Sequence, residues 1–201
     1  MIKKIVVYLN LWRMIIPICL YLFNPNIRNL CKKDLYRISY AIPKYEKLYG
    51  FMYALLFYIP YRGVFYYRLS DKKLLRTLYN LFLPNRREIE ISGTIGEGLA
   101  IFHGQATVLH CYSAGKNLSV WQCVTVGRNP KNSKNERDIP IIGDNVNIYA
   151  GAIVAGGINI GNNVDIGAGS VVLKSIPDNC VVGGNPAKII RYKEKTFDGN
   201  N

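Results

Sequence analysis

The sequence predicts a mainly β protein, in which a solenoid of six-residue repeats follows a helical, basic and aromatic N-terminal region. Charge separates the two regions. Residues 1–87 contain 16 Lys and Arg against 3 acidic residues, a formal charge of +13, whereas residues 88–201 contain 10 of each and are neutral. Twelve of the 15 Tyr precede residue 88, and 16 of the 18 Gly follow residue 87. The third observation is a regular spacing of aliphatic side chains after residue 88.

Length and composition set the first limits. A chain of 201 residues that is 49% hydrophobic has room for one or two domains with a sizeable core, and is too apolar to be disordered. The five cysteines include no CxxC pair, which argues against a zinc ribbon or a disulfide framework and favours a reducing compartment.

The N-terminus raises the question of a membrane segment. After Lys3 and Lys4, residues 5–23 are apolar apart from Asn10 and Arg13. No small-residue cleavage site follows, which argues against a secretory signal. A central arginine costs roughly 2.5–3.5 kcal/mol on insertion scales, so a membrane-spanning helix here is marginal.

A second apolar stretch, residues 48–65, is rich in Tyr and Phe and contains Pro60. Tyrosine and basic side chains together favour an anionic headgroup surface, because the ring is amphipathic and the lipid attracts the cation. The alternative is a helical domain that packs these faces against itself or another subunit. Nucleic acid is the least favoured partner, because the aromatic residues stand in long apolar runs.

Residues after position 141 repeat with a period of six. This period matches neither the 3.6 residues of an α-helix nor the alternation of an ordinary strand. It is typical of a solenoid of short strands, with three sides and 18 residues per coil and one inward aliphatic side chain per side. Before residue 141, two further series of aliphatic residues have the same period of six and are offset from each other by one residue. The aliphatic positions are, in order, Ile142, Ile148, Val154, Ile160, Ile166 and Val172; then Ile89, Ile95 and Ile101; then Val108, Ala114, Val120 and Val126.

Three stretches, residues 96–110, 118–129 and 141–190, resemble the hexapeptide-repeat acyltransferases, and the ending GNPAKII is a specific signature. The subgroup that they resemble is the serine-acetyltransferase-like O-acetyltransferases. Residues 1–87 more loosely resemble the N-terminal regions of acetyltransferases in bacterial surface-polysaccharide pathways. The resemblance implies a left-handed parallel β-helix, acetyl-CoA as co-substrate without a metal, and a homotrimer with its active sites between subunits.

The candidate catalytic residue is His103, one of two histidines in the chain. Transfer of an acetyl group to a hydroxyl needs a base of near-neutral pKa, and His103 lies at the catalytic position of the family. The orienting carboxylate of the family falls on Glu88, with Glu90 as the alternative. His110 matches no role in the subgroup and is interpreted as a loop or core histidine, with an acceptor contact as the alternative.

Residues 127–140 interrupt the repeat and are too polar to form a coil. The resemblance implies a projecting loop that closes over the site. Serine acetyltransferases carry a substrate-binding histidine in this loop, where Asp138 or Ile139 stands nearest here, and an aspartate where this chain has Phe102. Both departures argue against free serine as acceptor. An aromatic ring beside the base instead suits the apolar face of a sugar.

The resemblance also implies that acetyl-CoA lies along a groove between coils. Small residues there would let the pantetheine arm approach the backbone, whereas flexible ammonium groups would suit its phosphates. Tight packing of the coils explains the small residues equally well. The candidates are Gly127, Arg128, Ala150, Gly151, Ala168 and Gly169, with Lys174 and Lys188 for the phosphates.

These observations predict three segments: a helical region (1–87) that is either membrane-associated or self-packed, a β-helix (88–192) with the loop 127–140, and a polar tail (193–201). The predicted function is acetyl transfer to a hydroxyl of a sugar or polysaccharide intermediate, at the inner face of the cytoplasmic membrane. The alternatives are serine O-acetylation and a non-catalytic scaffold. The ending FDGNN lacks the terminal Ile that engages cysteine synthase, so we expect no such complex. Two histidines are too few for a carbonic anhydrase of this fold.

Overall fold

A computed structural model of the chain describes residues 2–85, 88–132 and 137–193. Six α-helices come first, and short strands follow. The helices are α1 Ile2–Leu9, α2 Ile15–Phe23, α3 Pro25–Arg37, α4 Leu48–Phe57, α5 Ile59–Arg68 and α6 Lys73–Phe82, with 3₁₀ turns at Leu11–Met14 and Ser39–Ala41. The predicted boundary at residue 87 lies outside the described residues, between the last helix and the first strand.

Local sequence signals explain several helix boundaries. The Asn24 side chain accepts a hydrogen bond from the Ile27 amide and so caps α3, whose first residue is a proline. Pro60 stands in the first turn of α5, where the missing N–H breaks no helical hydrogen bond. The buried Arg62 side chain donates to the carbonyls of Leu55 and Leu56, the last turn of α4, where a cation is favoured.

The second region is a parallel β-solenoid of about five coils, as predicted. Its strands form two parallel sheets, apart from the last strand, which is antiparallel to its neighbour. The strands are β1 Ile89–Ile95, β2 Ala100–Ile101, β3 Thr107–Ala114, β4 Ser119–Val120, β5 Thr125–Gly127, β6 Ile141–Ile142, β7 Asn147–Ile148, β8 Ile153–Ala155, β9 Asn159–Ile160, β10 Asp165–Ile166, β11 Val171–Val172, β12 Cys180–Gly183 and β13 Lys188–Tyr192.

Inward aliphatic side chains stack in three columns, which confirms the period of six after residue 141. Each column is buried, because every coil places one such side chain on each side. The first runs Ile95, Ala114, Ile142, Ile160, Ile176; the second Ile101, Val120, Ile148, Ile166, Val182; the third Leu109, Val126, Val154, Val172.

The predicted phase is wrong at Val108. Val108 pairs with Thr125, an outward position, whereas Leu109 pairs with the inward Val126 and is fully buried. The first coil contains two extra residues, since eight steps separate Ile101 from Leu109 where six separate Val120 from Val126. An insertion in the first coil therefore shifts the register.

The helical region covers the open end of the first coil. Val64 of α5 belongs to the solenoid core, and Ala100 of β2 belongs to the helical core. A buried ion pair fastens this junction: Arg68 binds both carboxylate oxygens of Asp34 at 2.9 Å and donates to the carbonyls of Ile95 and Gly96 at 2.7 Å. Solenoids need such a cover, because their terminal coils otherwise expose the core.

The apolar stretch 48–65 lies in the helical core. Phe51, Leu55 and Phe65 are buried, and Phe51 stacks on Tyr21 at 4.6 Å between ring centroids. For this stretch the structure favours the packed alternative over a headgroup surface. In the described ranges, no single helix is long and apolar enough to span a bilayer. Residues 2–9 and 11–23, which meet at an angle of 61°, pass that test only as a pair.

Candidate functional site

His103 lies at the corner where the extra residues of the first coil are inserted. The corner residues of successive coils bond to one another, since the Cys123 amide donates to the Gln105 carbonyl and the Gly151 amide to the Gln122 carbonyl. These bonds align Gln105 with Gln122, so His103 and Gly104 are the two residues without a counterpart in the next coil. His103 lies in this insertion and is exposed, at a corner that the next coils form without extra residues.

Backbone geometry at this corner depends on Gly104. His103 has φ +65° and Gly104 has φ +71°, a left-handed conformation that side chains with a Cβ adopt at a cost. A Cβ on Gly104 would lie 2.5 Å from the Cδ1 atom of Ile89. The glycine therefore permits the close packing of β1 beneath the corner that holds His103.

A cleft of about 350 Å³ opens beside His103, between the first coil and the helical region. Glu88, the predicted orienting carboxylate, and Gln105 line it from the solenoid. Among the described residues, however, no hydrogen bond joins Glu88 to His103, and Glu90 is not part of the lining. The helical side of the cleft is formed by Tyr40, Ala41, Phe57, Tyr58, Ile59 and Pro60.

Tyr58 ties the helical wall of the cleft to the first coil. Its hydroxyl donates to the Ile101 carbonyl at 3.4 Å. Burial raises the pKa of Tyr58, and the neighbouring Tyr40 raises it further. Tyr58 is thus held protonated as a hydrogen-bond donor, and it fixes the wall that faces His103.

An aromatic column runs along the same edge of the solenoid. Phe102 stacks on Trp121 at 4.5 Å between centroids, Trp121 contacts Tyr149 at 4.5 Å, and Tyr40 stacks on the other side of Phe102 at 6.3 Å. Each ring of the solenoid follows an inward aliphatic residue by one position. The column leads from the cleft down three coils, and half-buried rings of this kind offer apolar faces for stacking.

His110 lies in the middle of β3 rather than in a loop or the core. Its side chain is half-buried and points outward, and its Nδ1 atom is hydrogen-bonded to the Ser92 hydroxyl of β1. The prediction of a loop or core histidine is therefore wrong in detail. His110 links the outer faces of two neighbouring coils.

Strand β5 ends at Gly127 and β6 begins at Ile141, and the described residues between them form no strand of the solenoid. Arg128 and Asp138, predicted for donor and acceptor respectively, form an ion pair of 3.1 Å at the base of this loop. Asn132, which ends the 3₁₀ turn Pro130–Asn132, donates to the Leu173 carbonyl at 2.6 Å. The described parts of the loop thus lie against the chain's own coils, and residues 133–136 lie outside the described residues.

The residues predicted to hold acetyl-CoA flank one flat face of the solenoid, the one formed by β5, β8 and β11. Ala150 and Ala168 stand on the His103 edge, two and three coils further along, which corresponds to about 10 and 14 Å at the usual strand spacing. Gly127 and Arg128 stand on the opposite edge. The structure therefore places the donor candidates on one face but separates Asp138 from His103 by its width.

Tight packing does not explain all the small residues of this face. A Cβ on Gly127 or on Gly169 would meet nothing within 4 Å, and one on Gly151 would meet only backbone at 3.9 Å. Gly151 and Gly169 have φ of +70° and +66° and serve the turn. Gly127 has neither a crowded Cβ position nor a left-handed backbone, so neither packing nor backbone conformation requires a glycine there.

The two lysines predicted for the phosphates are both exposed. Lys174 follows β11, next to the carbonyl that Asn132 contacts, and Lys188 begins β13, opposite Gly183. Among the described residues, neither side chain forms an ion pair with a carboxylate. Lys174 stands at the far end of the face that Gly127 borders, whereas Lys188 stands on the other sheet, next to Ala187, whose amide donates to the Val171 carbonyl of β11.

Sequence reasoning missed most of the aromatic residues around His103. Trp121 and Tyr149 could have been found, because each directly follows an inward position of the six-residue period. Tyr40, Phe57 and Tyr58 carry no such signal, because their positions depend on how the helices pack on the first coil.

Comparisons with known proteins agree with this architecture. The family of bacterial transferase hexapeptide repeats (six repeats) matches residues 139–174. A serine acetyltransferase of Staphylococcus epidermidis is 42% identical over 119 residues, which cover 57% of this chain and 55% of that protein. The chain thus spans about half the length of the curated relatives it matches.

Solved structures extend the likeness to the helical region. A serine acetyltransferase of Neisseria gonorrhoeae superposes with a TM-score of 0.69 at 28% identity, covering 89% of this chain and 73% of that one. A serine acetyltransferase in complex with CoA superposes with a TM-score of 0.62 at 25% identity, over 85% and 72%. Residues 139–174 thus match the hexapeptide-repeat family, and serine acetyltransferases are among the chain's relatives and structural neighbours.

Proposed function

We propose that the protein is an acetyl-CoA-dependent O-acetyltransferase in which His103 is the general base. The observation that carries the proposal is the position of His103. It is exposed at the inserted corner of the first coil and faces a cleft, in a solenoid of the kind found in serine acetyltransferases. The face with Gly127 and the accessible Lys174, and the accessible Lys188 on the neighbouring sheet, support acetyl-CoA as the donor, as does the structural neighbour solved with CoA.

The reaction needs one base and one place for developing negative charge. In the proposed step His103 takes the proton of the acceptor hydroxyl as its oxygen attacks the thioester carbonyl. A C–O bond forms and the C–S bond breaks, and the proton passes from His103 to the departing sulfur. Backbone N–H groups of the corner are the donors available for the oxyanion.

Two acceptors are supported by different observations. The relatives are named serine acetyltransferases, which favours free serine. The aromatic column beside His103, with Phe102 at its head, favours the apolar face of a carbohydrate, because stacked rings bind such faces well. The names of the relatives and structural neighbours support free serine as the first candidate acceptor. A sugar or polysaccharide intermediate is the second candidate and rests on Phe102, Trp121 and Tyr40.

We also infer a homotrimer, in which the site is completed between copies. Asp138 and the other described residues of the loop lie across the width of a solenoid face from His103 in a single chain. A threefold arrangement would bring that loop of one copy to the His103 edge of the next.

His103→Ala is the direct test. We expect release of CoA from acetyl-CoA, followed as free thiol with serine and with monosaccharides as acceptors, to fall about 10²–10⁴-fold. Calorimetry should show that CoA binding is retained. His110→Ala is the matched control, because the only other histidine bonds to Ser92 on a strand, and it should lose less than about ten-fold.

The outcomes separate the alternatives. Turnover that persists in His103→Ala contradicts the mechanism. Absence of CoA binding by the unmodified protein favours a non-catalytic scaffold. A higher kcat/KM for serine than for every sugar decides for serine, whereas the reverse decides for a carbohydrate acceptor.

A further inference from the structure

Exposed apolar side chains concentrate on one part of the helical region. Of the 22 large apolar residues that are exposed among those described, 13 lie in residues 2–23 and α6. α6 is the clearest case, because Tyr79 is its only buried residue, whereas Leu74 and Leu81 are 72% and 71% exposed. An amphipathic helix normally buries its apolar stripe, and this one leaves it uncovered.

The exposed residues form a continuous strip. Leu74, Leu78 and Leu81 recur on α6 at the spacing of one helix face, and Phe82 extends that face. The Phe82 ring meets the Trp12 ring edge-on at 6.2 Å between centroids, and the Phe82 carbonyl accepts from Arg13 Nε at 2.7 Å. We call the strip the apolar–basic face; it comprises Ile5, Leu9, Trp12, Leu74, Leu78, Leu81 and Phe82.

Charge on the elements that carry this face has one sign. α1, the turn Leu11–Met14, α2 and α6 contain Lys3, Lys4, Arg13, Lys73 and Arg76 and no acidic residue. The nearest carboxylate along the chain, Asp71, lies before α6 and pairs with Lys72 at 3.6 Å. An apolar strip bordered only by cations complements a surface with an apolar interior and an anionic rim.

We propose that the apolar–basic face lies on the surface of an anionic lipid bilayer. Short helices with one apolar side and basic residues beside it bind in the interfacial plane, where the side chains enter the acyl boundary and the cations meet lipid phosphates. A second copy is a poorer occupant, because pairing this face with itself would bring ten like charges together. The proposal does not depend on acetyl transfer.

The face adjoins the cleft of His103. Lys3 Nζ donates to the Tyr53 hydroxyl at 3.1 Å and stands 5.6 Å from the Phe57 ring centroid. Phe57 in turn lines the cleft. Binding of the apolar–basic face to a bilayer would therefore hold the cleft within a side chain's length of the lipid headgroups. An acceptor attached to lipid could then reach the cleft.

Vesicle co-sedimentation tests the proposal on the full-length protein. Vesicles of phosphatidylcholine alone are compared with vesicles that contain phosphatidylglycerol, at low and high NaCl. We expect binding to the anionic vesicles that weakens with salt. Leu81→Gln should weaken it about ten-fold and Lys73→Gln about five-fold, since each cation near an anionic surface adds roughly that factor.

Ile190→Gln is the matched control, because Ile190 is 67% exposed but stands on β13, at the other end of the solenoid. It should bind like the unmodified protein, and far-ultraviolet circular dichroism should show all variants folded. Equal binding by Leu81→Gln and Ile190→Gln would overturn the proposal. So would failure to bind anionic vesicles, or a concentration-dependent dimer in sedimentation equilibrium that Leu81→Gln abolishes.

Discussion

The two regions of this chain reach stability by different routes. In the solenoid the same solution recurs in every coil: one buried aliphatic residue per side, stacked on its equivalents, with no net charge over residues 88–201. The helical region carries the whole formal charge of +13 and packs an irregular, aromatic-rich core. Because the same contacts recur in every coil, the solenoid tolerates the loss of one of them and can be predicted from sequence. The helical region depends instead on interactions that occur once.

Polar groups show the same contrast. At one solenoid corner a side-chain oxygen accepts a backbone amide in successive coils: Asp144 from Lys116, Asn162 from Asp144, and Asp178 from Asn162, at 2.7–2.8 Å. At the junction the carboxylate of Asp34 accepts from the amides of Gly98 and Leu99 and from Arg68. The hydrogen bonds at the solenoid corner are exposed and recur in each coil, whereas the ion pair at the junction is buried and occurs once.

Removal of Arg68 should break the junction. Arg68→Met leaves the Asp34 carboxylate, 1% exposed, without its counter-ion, and we expect a loss of about 3–5 kcal/mol in the free energy of unfolding by urea. Lys193→Met, which removes a half-buried pair with Asp165 at 2.9 Å in the solenoid, should cost no more than about 1 kcal/mol. Equal losses in the two variants would mean that the regions do not differ in this way.

The pH dependence of the Arg68→Met variant sharpens that prediction. Burial raises the pKa of Asp34, and the Arg68 guanidinium opposes the rise. Without Arg68 the folded-state pKa stands further above the unfolded value of about 3.9. The stability that the variant loses should therefore be small at low pH, where Asp34 is protonated in both the folded and the unfolded state. The loss should grow as pH rises from the unfolded-state pKa of Asp34 towards its folded-state pKa in the variant. The double variant with Asp34→Asn, which keeps an oxygen for the two amides, should lose this pH dependence.

The solenoid could be predicted from sequence because its period is visible. Six aliphatic residues at fixed spacing from Ile142 to Val172 correctly place the columns after residue 141. The insertion at His103 and Gly104 defeats the same reasoning two coils earlier, where Val108 is taken for the inward residue. A two-residue bulge changes the phase without changing composition, so only the observed pairing of Leu109 with Val126 reveals it.

The cleft could be predicted only in part. His103, Glu88 and Phe102 are candidates because of the resemblance to the acyltransferase motifs, and all three lie at the first coil of the solenoid. Tyr40 and Tyr58 reach the cleft through the packing of helices, which in turn depends on Asp34 finding Arg68 across 34 positions of sequence. No local pattern encodes that pairing, because a buried ion pair is specified by the tertiary fold.

Substitution of Gly104 tests whether the His103 corner depends on the packing beneath it. Gly104→Ala would place a methyl group 2.5 Å from Ile89 Cδ1 at φ +71°, and we expect about 1–3 kcal/mol of destabilisation. Displacement of His103 should also lower kcat at least ten-fold. Gly184→Ala is the control: its φ is +96°, and its Cβ would meet nothing nearer than 3.6 Å. A kcat unaffected by Gly104→Ala would show that the corner tolerates repacking.

The smallest expected effect belongs to the repeated corner. Asn162→Ala removes the side-chain oxygen that accepts the Asp144 amide at 2.8 Å, at an exposed position where water replaces the lost partner. We expect a loss of about 0.5–1 kcal/mol in the free energy of unfolding, because the column contacts of Ile160 and Ile142 remain. Asp144→Ala, one coil earlier in the same ladder, should cost the same within error, and the two together should cost the sum only if neighbouring coils act independently. If the double variant loses much more free energy of unfolding than the sum of the two single variants, the ladder is cooperative. Neighbouring coils of this solenoid would then stabilise one another rather than contribute independently.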